Sequence, residues 1–137
     1  TTEEQWEHTL DVNLKGAFLF CKAITPNMIE NNCGVIINVS SDAGKVGFEE
    51  ISAYCASKFG MIGLTESLAR EVANYNIRVM TICPGEVATK MVEDVDARYY
   101  ELNKHKMLHP RTVAEKIADM IFNDNEYRNG IAVDLPS

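Results

Sequence analysis

The chain has 137 residues, 46% of them hydrophobic, enough for one compact α/β domain and too few for a second core. Twenty acidic residues against thirteen Lys and Arg leave a formal charge of −7, which excludes the basic footprint of a nucleic-acid or anionic-membrane binder. No apolar run reaches the roughly 20 residues of a membrane helix, and the polar opening Thr-Thr-Glu-Glu-Gln is unlike a secretory signal, so a cytoplasmic protein handling small molecules or its own copies is expected.

In chain order, Thr1 with Glu4 and Thr2 with Gln5 both fit capping-box spacing, and Trp6, Leu10, Leu14, Phe18 and Cys21 repeat at helical intervals. One long helix is predicted to about Asn31, bent near Pro26, where an amide is missing. Val35 to Val39 is a β-branched run expected as a buried parallel strand. Residues 40–51 are polar and glycine-bearing, hence a loop. Ala53 to Tyr75 returns to helical period, with Glu66 placed to pair with Arg70. Ile77 to Cys83 is a second buried strand, ended by Pro84-Gly85. Residues 86–109 are a mixed, charged segment. Thr112 with Glu115 opens a last helix through about Phe122, and Ile131 to Leu135 is a final strand. The alternation implies a doubly wound, Rossmann-like parallel sheet of three strands flanked by helices.

The four cysteines form neither a Cys-x-x-Cys pair nor a zinc-type cadence, and Cys21, Cys55 and Cys83 lie in apolar segments, so free buried thiols are expected there. His105 and His109 have the spacing of a metal pair on one helix, but Pro110 disfavours helical geometry at His109. No metal is expected, and the two read as solvated loop histidines.

In open α/β sheets the reactive crevice lies outside the carboxyl ends of the strands, where Ser40, Ser41, Pro84 and Gly85 fall. Tyr54 follows on the next helix, and Lys58, one turn later, shares its face. A phenol titrates near pH 10, and a neighbouring cation favours its ionised form, so Lys58 is expected to draw Tyr54 toward neutral pH. A hydroxyl such as Ser41 on the same substrate oxygen would stabilise developing charge. Tyr-x-x-x-Lys alone is a weak signal: Tyr100 and Lys104 repeat it without a serine-bearing strand end upstream.

Asp-Val-Asn-Leu-Lys-Gly (11–16), Val-Ile-Ile-Asn-Val-Ser-Ser (35–41), Ser-Ala-Tyr-Cys-Ala-Ser-Lys (52–58) and Ile-Cys-Pro-Gly-Glu-Val-Ala-Thr (82–89) resemble, in order and spacing, the motifs of the short-chain dehydrogenase/reductase family. The resemblance implies an oxidoreductase that moves hydride between NAD or NADP and a carbonyl or alcohol, similar to the 3-oxoacyl reductases. It implies Tyr54 as general acid or base, Lys58 as the residue that lowers its pKa and holds the nicotinamide ribose, and Ser41 as orienter of the substrate oxygen. It also implies a water-holding role for the Asn13 carbonyl, nicotinamide contacts from Pro84, Gly85, Val87 and Thr89, and a homodimer or homotetramer built through the long helices.

The family's glycine-rich turn after its first strand and its adenine-ribose selector have no counterpart in residues 1–137. The whole chain is therefore expected to be the C-terminal catalytic portion of a single NAD(P)-binding domain. That leaves one side of the Val35–Val39 strand unpaired. Gly60 and Gly63 are expected to permit close helix packing. The ending Val-Asp-Leu-Pro-Ser differs from the glycine-rich ending of acyl-carrier reductases. Two other readings are a non-catalytic assembly fragment and an extended epimerase or dehydratase, for whose sugar-binding lobe the short stretch after Thr89 leaves little room.

Overall fold

Alternate residues along the second strand point to two different apolar layers, and that alternation organises the molecule. The computed structural model describes residues 1–137. Strands β1 (Gly34–Val39), β2 (Ile77–Pro84) and β3 (Ala132–Leu135) form a parallel sheet in the order β1-β2-β3. On one face Ile77 and Val79 join Ile36, Cys21, Ala69 and Val72. On the other, Met80 and Ile82 join Met120 and Tyr127. Both faces of β2 are thus covered and Val79, Met80 and Ile82 are fully buried, as expected for the middle strand of a parallel sheet. β1 is less covered than its sequence implies: it pairs only with β2, and its last residue, Val39, is exposed.

The N-terminal helical stretch is α1 (Glu3–Leu10), a π-helical turn (Asp11–Lys15) and α2 (Gly16–Asn31). Of the two capping boxes, Thr2 with Gln5 is the one that forms. The helix continues through Pro26, and its irregular turn lies instead at Asp11–Lys15. Asn32 ends it in the left-handed region at φ 50°.

Helix α3 (Ser52–Glu71) lies against the α2 face of the sheet and is locked there by a buried polar chain. Asn38 donates to Thr65 Oγ1 at 2.9 Å, and Thr81 donates to the same oxygen at 2.7 Å. Every member is paired, so the chain registers β1, α3 and β2 without an orphaned dipole. Gly60 has a packing reason, since a Cβ there would sit 2.6 Å from Leu14; Gly63 has none, with nothing within 4 Å. Glu66 and Arg70 do not form the expected ion pair, which leaves Arg70 a general complement to the helix C-terminus.

Helix α6 (Pro110–Phe122) covers the other face. It begins two residues before the expected Thr112, because His109 Nδ1 accepts from the Arg111 amide at 3.1 Å and Pro110 occupies the first turn. His109 is therefore a helix cap. The Arg78 guanidinium donates to the carbonyls of Met120 and Ile121 at 2.9 and 2.6 Å, closing the other end of α6. Asn129 ties the final turn to the core, accepting from the Val79 amide at 2.7 Å and donating to Ala69 O at 2.9 Å. Between β2 and α6, helices α4 (Lys90–Val95) and α5 (Ala97–Asn103) form a lobe. A one-residue parallel bridge between Val87 and Leu108 closes its base.

Candidate active site

The carboxyl ends of β1 and β2 and the first two turns of α3 meet at one place. Ser40 and Ser41 follow β1, and a 3₁₀ turn over Asp42–Gly44 folds back against α3. The turn sits close: Ser40 Oγ donates to Lys58 O at 2.9 Å, and a Cβ on Gly44 would lie 2.9 Å from that same carbonyl oxygen. Only glycine fits there without displacing α3. Tyr54 and Lys58 are both half-buried on the facing side of the helix, with the Lys58 ammonium 5.4 Å from the Tyr54 ring centroid.

The structure brings Ser41, Tyr54 and Lys58 together, while Tyr100 and Lys104 remain a surface pair whose ammonium is held by Glu101 at 2.8 Å. Asn13 joins from a different element. It sits at the centre of the π-helical turn, a distortion that often marks functional positions. Its amide donates to Ser57 Oγ at 3.1 Å, and Ser57 in turn donates to Tyr54 O at 2.7 Å. Ser57, fully buried, is a member the sequence reading missed; its only signal was a small polar residue on the inward face of α3.

One electrostatic expectation is reversed. Lys58 does not pull the phenol down: Tyr54 is raised, chiefly by burial, against a downward pull from the adjacent Ser41 hydroxyl and with a further upward push from the Asp42 carboxylate. Lys58 itself is lowered by burial. The reason is geometric, because its ammonium donates to Val39 O at 2.9 Å, not to the phenol. Two of its three N–H bonds remain available for a ligand.

The Pro84–Thr89 segment suits a carboxamide. Gly85 N donates to Leu135 O, and the bridge uses Ala88 N and Glu86 O, so the Val87 amide and carbonyl face the other way and are uncommitted. Thr89 precedes α4 without using its hydroxyl as a cap. One unspent amide, one unspent carbonyl and one free hydroxyl are the donor and acceptor set that a primary amide needs. Cys83, at the end of β2, is buried with its thiol raised, mainly by that burial. Cys21 and Cys55 are also buried free thiols, as expected, and Cys33 is exposed.

The likeness to known proteins extends along the whole chain. It is 36% identical over 140 residues to (3R)-3-hydroxyacyl-CoA dehydrogenase of Homo sapiens, an alignment covering 98% of this chain and 54% of the relative. It is 34% identical over 138 residues to the 3-oxoacyl acyl-carrier-protein reductase of Thermotoga maritima, covering 97% and 56% respectively. Among solved structures, an NAD-bound 3-oxoacyl acyl-carrier-protein reductase from Brucella melitensis superimposes with a TM-score of 0.85 at 33% identity, over 99% of this chain and 52% of that one. The chain thus spans about half the length of the curated relatives it matches. No helix is long and apolar enough to cross a membrane. With the short chain dehydrogenase family model matching residues 1–99, and with these relatives beside it, the chain belongs to the short-chain dehydrogenase family.

Proposed function

We propose that this chain is the catalytic portion of an NAD(P)-dependent oxidoreductase that interconverts a carbonyl and an alcohol. The observation that carries the reading is the meeting of Ser41, Tyr54 and Lys58 at the carboxyl ends of β1 and β2. Bound nicotinamide supplies the hydride acceptor or donor. Tyr54 exchanges the proton with the substrate oxygen, Ser41 orients that oxygen, and Lys58 uses its spare N–H bonds on the nicotinamide ribose. Asn13 steadies the first turns of α3 through Ser57 and lends its carbonyl to the proton path. Pro84, Gly85, Val87 and Thr89 hold the carboxamide.

The portion of the domain that cradles the pyrophosphate lies, on this reading, in the half of the relatives' length that the chain does not span. Two relatives act, by name, on hydroxyacyl or oxoacyl thioesters, so a short 3-oxoacyl thioester is the substrate to try first. We place the enzyme in the cytoplasm as a homodimer or homotetramer. Phe18, Leu19, Phe20 and Phe59 on α2 and α3 are exposed, Phe20 by 75%, and a second copy would cover them.

In the full-length protein, acetoacetyl-CoA is expected to drive oxidation of NADH or NADPH. The reverse oxidation of 3-hydroxybutyryl-CoA is expected to quicken as pH rises, because it needs the Tyr54 phenolate and burial raises that phenol. Absence of cofactor oxidation with acetoacetyl-CoA and simple ketones, and of cofactor reduction with polyols, would remove the reading.

A further inference from the structure

We infer that Asp42 is a positioning residue of the hydroxyl site: its carboxylate takes the one Ser41 proton, so that Ser41 offers only a lone pair to the phenol and the substrate oxygen. The inference deepens the function proposed above and depends on it for its catalytic meaning.

A serine has a single donor and two lone pairs. Ser41 Oγ lies 2.7 Å from Asp42 Oδ1, and a carboxylate can only accept, so the serine proton points there. The Ala43 amide donates to Ser41 Oγ at 3.1 Å and uses one lone pair. The same amide donates to Asp42 Oδ1 at 2.7 Å, which fixes the carboxylate against the serine. One lone pair is left. It can accept from the Tyr54 phenol or from a substrate alcohol, and it can give nothing to a carbonyl oxygen. At rest, then, the site complements an alcohol better than a ketone. To polarise a carbonyl, Ser41 must first leave Asp42.

Asp42 also sets a fixed negative charge near Tyr54. Other charged or titratable groups about that residue include Cys55 and Lys58 on its own helix, Glu50 in the segment leading into it and, where the chain starts at Thr1, the Thr1 amine. Asp42 therefore holds the phenol protonated in two ways. It repels the phenolate, and by taking the serine proton it competes with the hydrogen bond through which Ser41 pulls the phenol down.

These two parts are separable by substitution. Asp42→Asn removes the charge and keeps an oxygen that can accept from Ser41, whereas Asp42→Ala removes both and frees the serine proton. The test is a near-ultraviolet tyrosinate titration of the full-length protein and of each variant, with the matching Tyr54→Phe protein subtracted so that every other tyrosine cancels. The expected order of the Tyr54 midpoint is wild type highest, Asp42→Asn lower, Asp42→Ala lowest. Midpoints that stay at the wild-type value in Asp42→Asn, or an Asp42→Ala midpoint no lower than that of Asp42→Asn, overturn the inference. Circular dichroism checks that each variant is folded; should the alanine variant unfold, the asparagine shift alone decides. Wild-type turnover in Tyr54→Phe would sink the proposed reaction and leave this titration standing, while an inactive Tyr54→Phe with unmoved midpoints would sink only the role of Asp42.

Discussion

Tyr54→Phe in the full-length protein is expected to cut turnover roughly 10²- to 10⁴-fold, the range that a positioned general acid or base contributes. Phenylalanine keeps the ring and its packing and deletes only the hydroxyl proposed to exchange the proton. The Lys58 ammonium, tied to Val39 O, does not depend on that hydroxyl. The Michaelis constant for NADH or NADPH should therefore change little while kcat falls. Steady-state kinetics in both directions make the measurement. A variant with near-normal kcat would show that the proton travels by another group, and an equal loss in cofactor affinity would show that the phenol is part of the cofactor seat instead.

The second large effect is on stability. Thr65 is the shared acceptor of two buried donors, the Asn38 amide and the Thr81 hydroxyl. Thr65→Val preserves shape and removes the oxygen, leaving both donors without a partner. A buried unsatisfied polar group costs about 1–3 kcal/mol, so the loss should be roughly 2–6 kcal/mol for the pair. The effect should also reach the site, because this chain registers α3, and with it Tyr54, against the strand ends. Chemical denaturation of the variant beside wild type gives the number. A loss below about 1 kcal/mol would mean that the two donors find other partners.

Periodicity carried the secondary structure because burial in this fold has a simple geometry. β2 is covered on both faces, so Ile77 to Cys83 reads as an apolar run, and α3 shows its inward residues at helical spacing. The pairing of Tyr54 with Lys58 was legible for the same reason: residues four apart on a helix must share a face. What they do to each other was not. The direction of the Tyr54 shift depends on how deeply the ring is buried and on Lys58 reaching Val39 O, and both follow from how α3 docks on β1.

Other departures also come from tertiary demands or from uncommon local chemistry. Nothing in Asp11 to Lys15 announces a π-helical turn. The turn accompanies the approach of Leu14 to Gly60 and the bond from Asn13 to Ser57, which are contacts between distant stretches of chain. His109 caps α6 through a ring nitrogen, although Pro110 at the first helical position already marked that start. An acid beside a serine ordinarily signals a turn, and Asp42 does form one. Its second effect, on the single proton of Ser41, emerges only when every donor and acceptor around that oxygen is counted.

The most direct measurement is a crystal structure of the full-length protein with NADH or NADPH bound. The carboxamide is expected against Val87 and Thr89, with a ribose hydroxyl within hydrogen-bond reach of Lys58 Nζ and the Tyr54 hydroxyl facing the same carbon of the nicotinamide that carries the hydride. A cofactor seated away from the Pro84–Thr89 segment, with Lys58 bound to Val39 alone and Tyr54 turned from the ring, would overturn the proposed function.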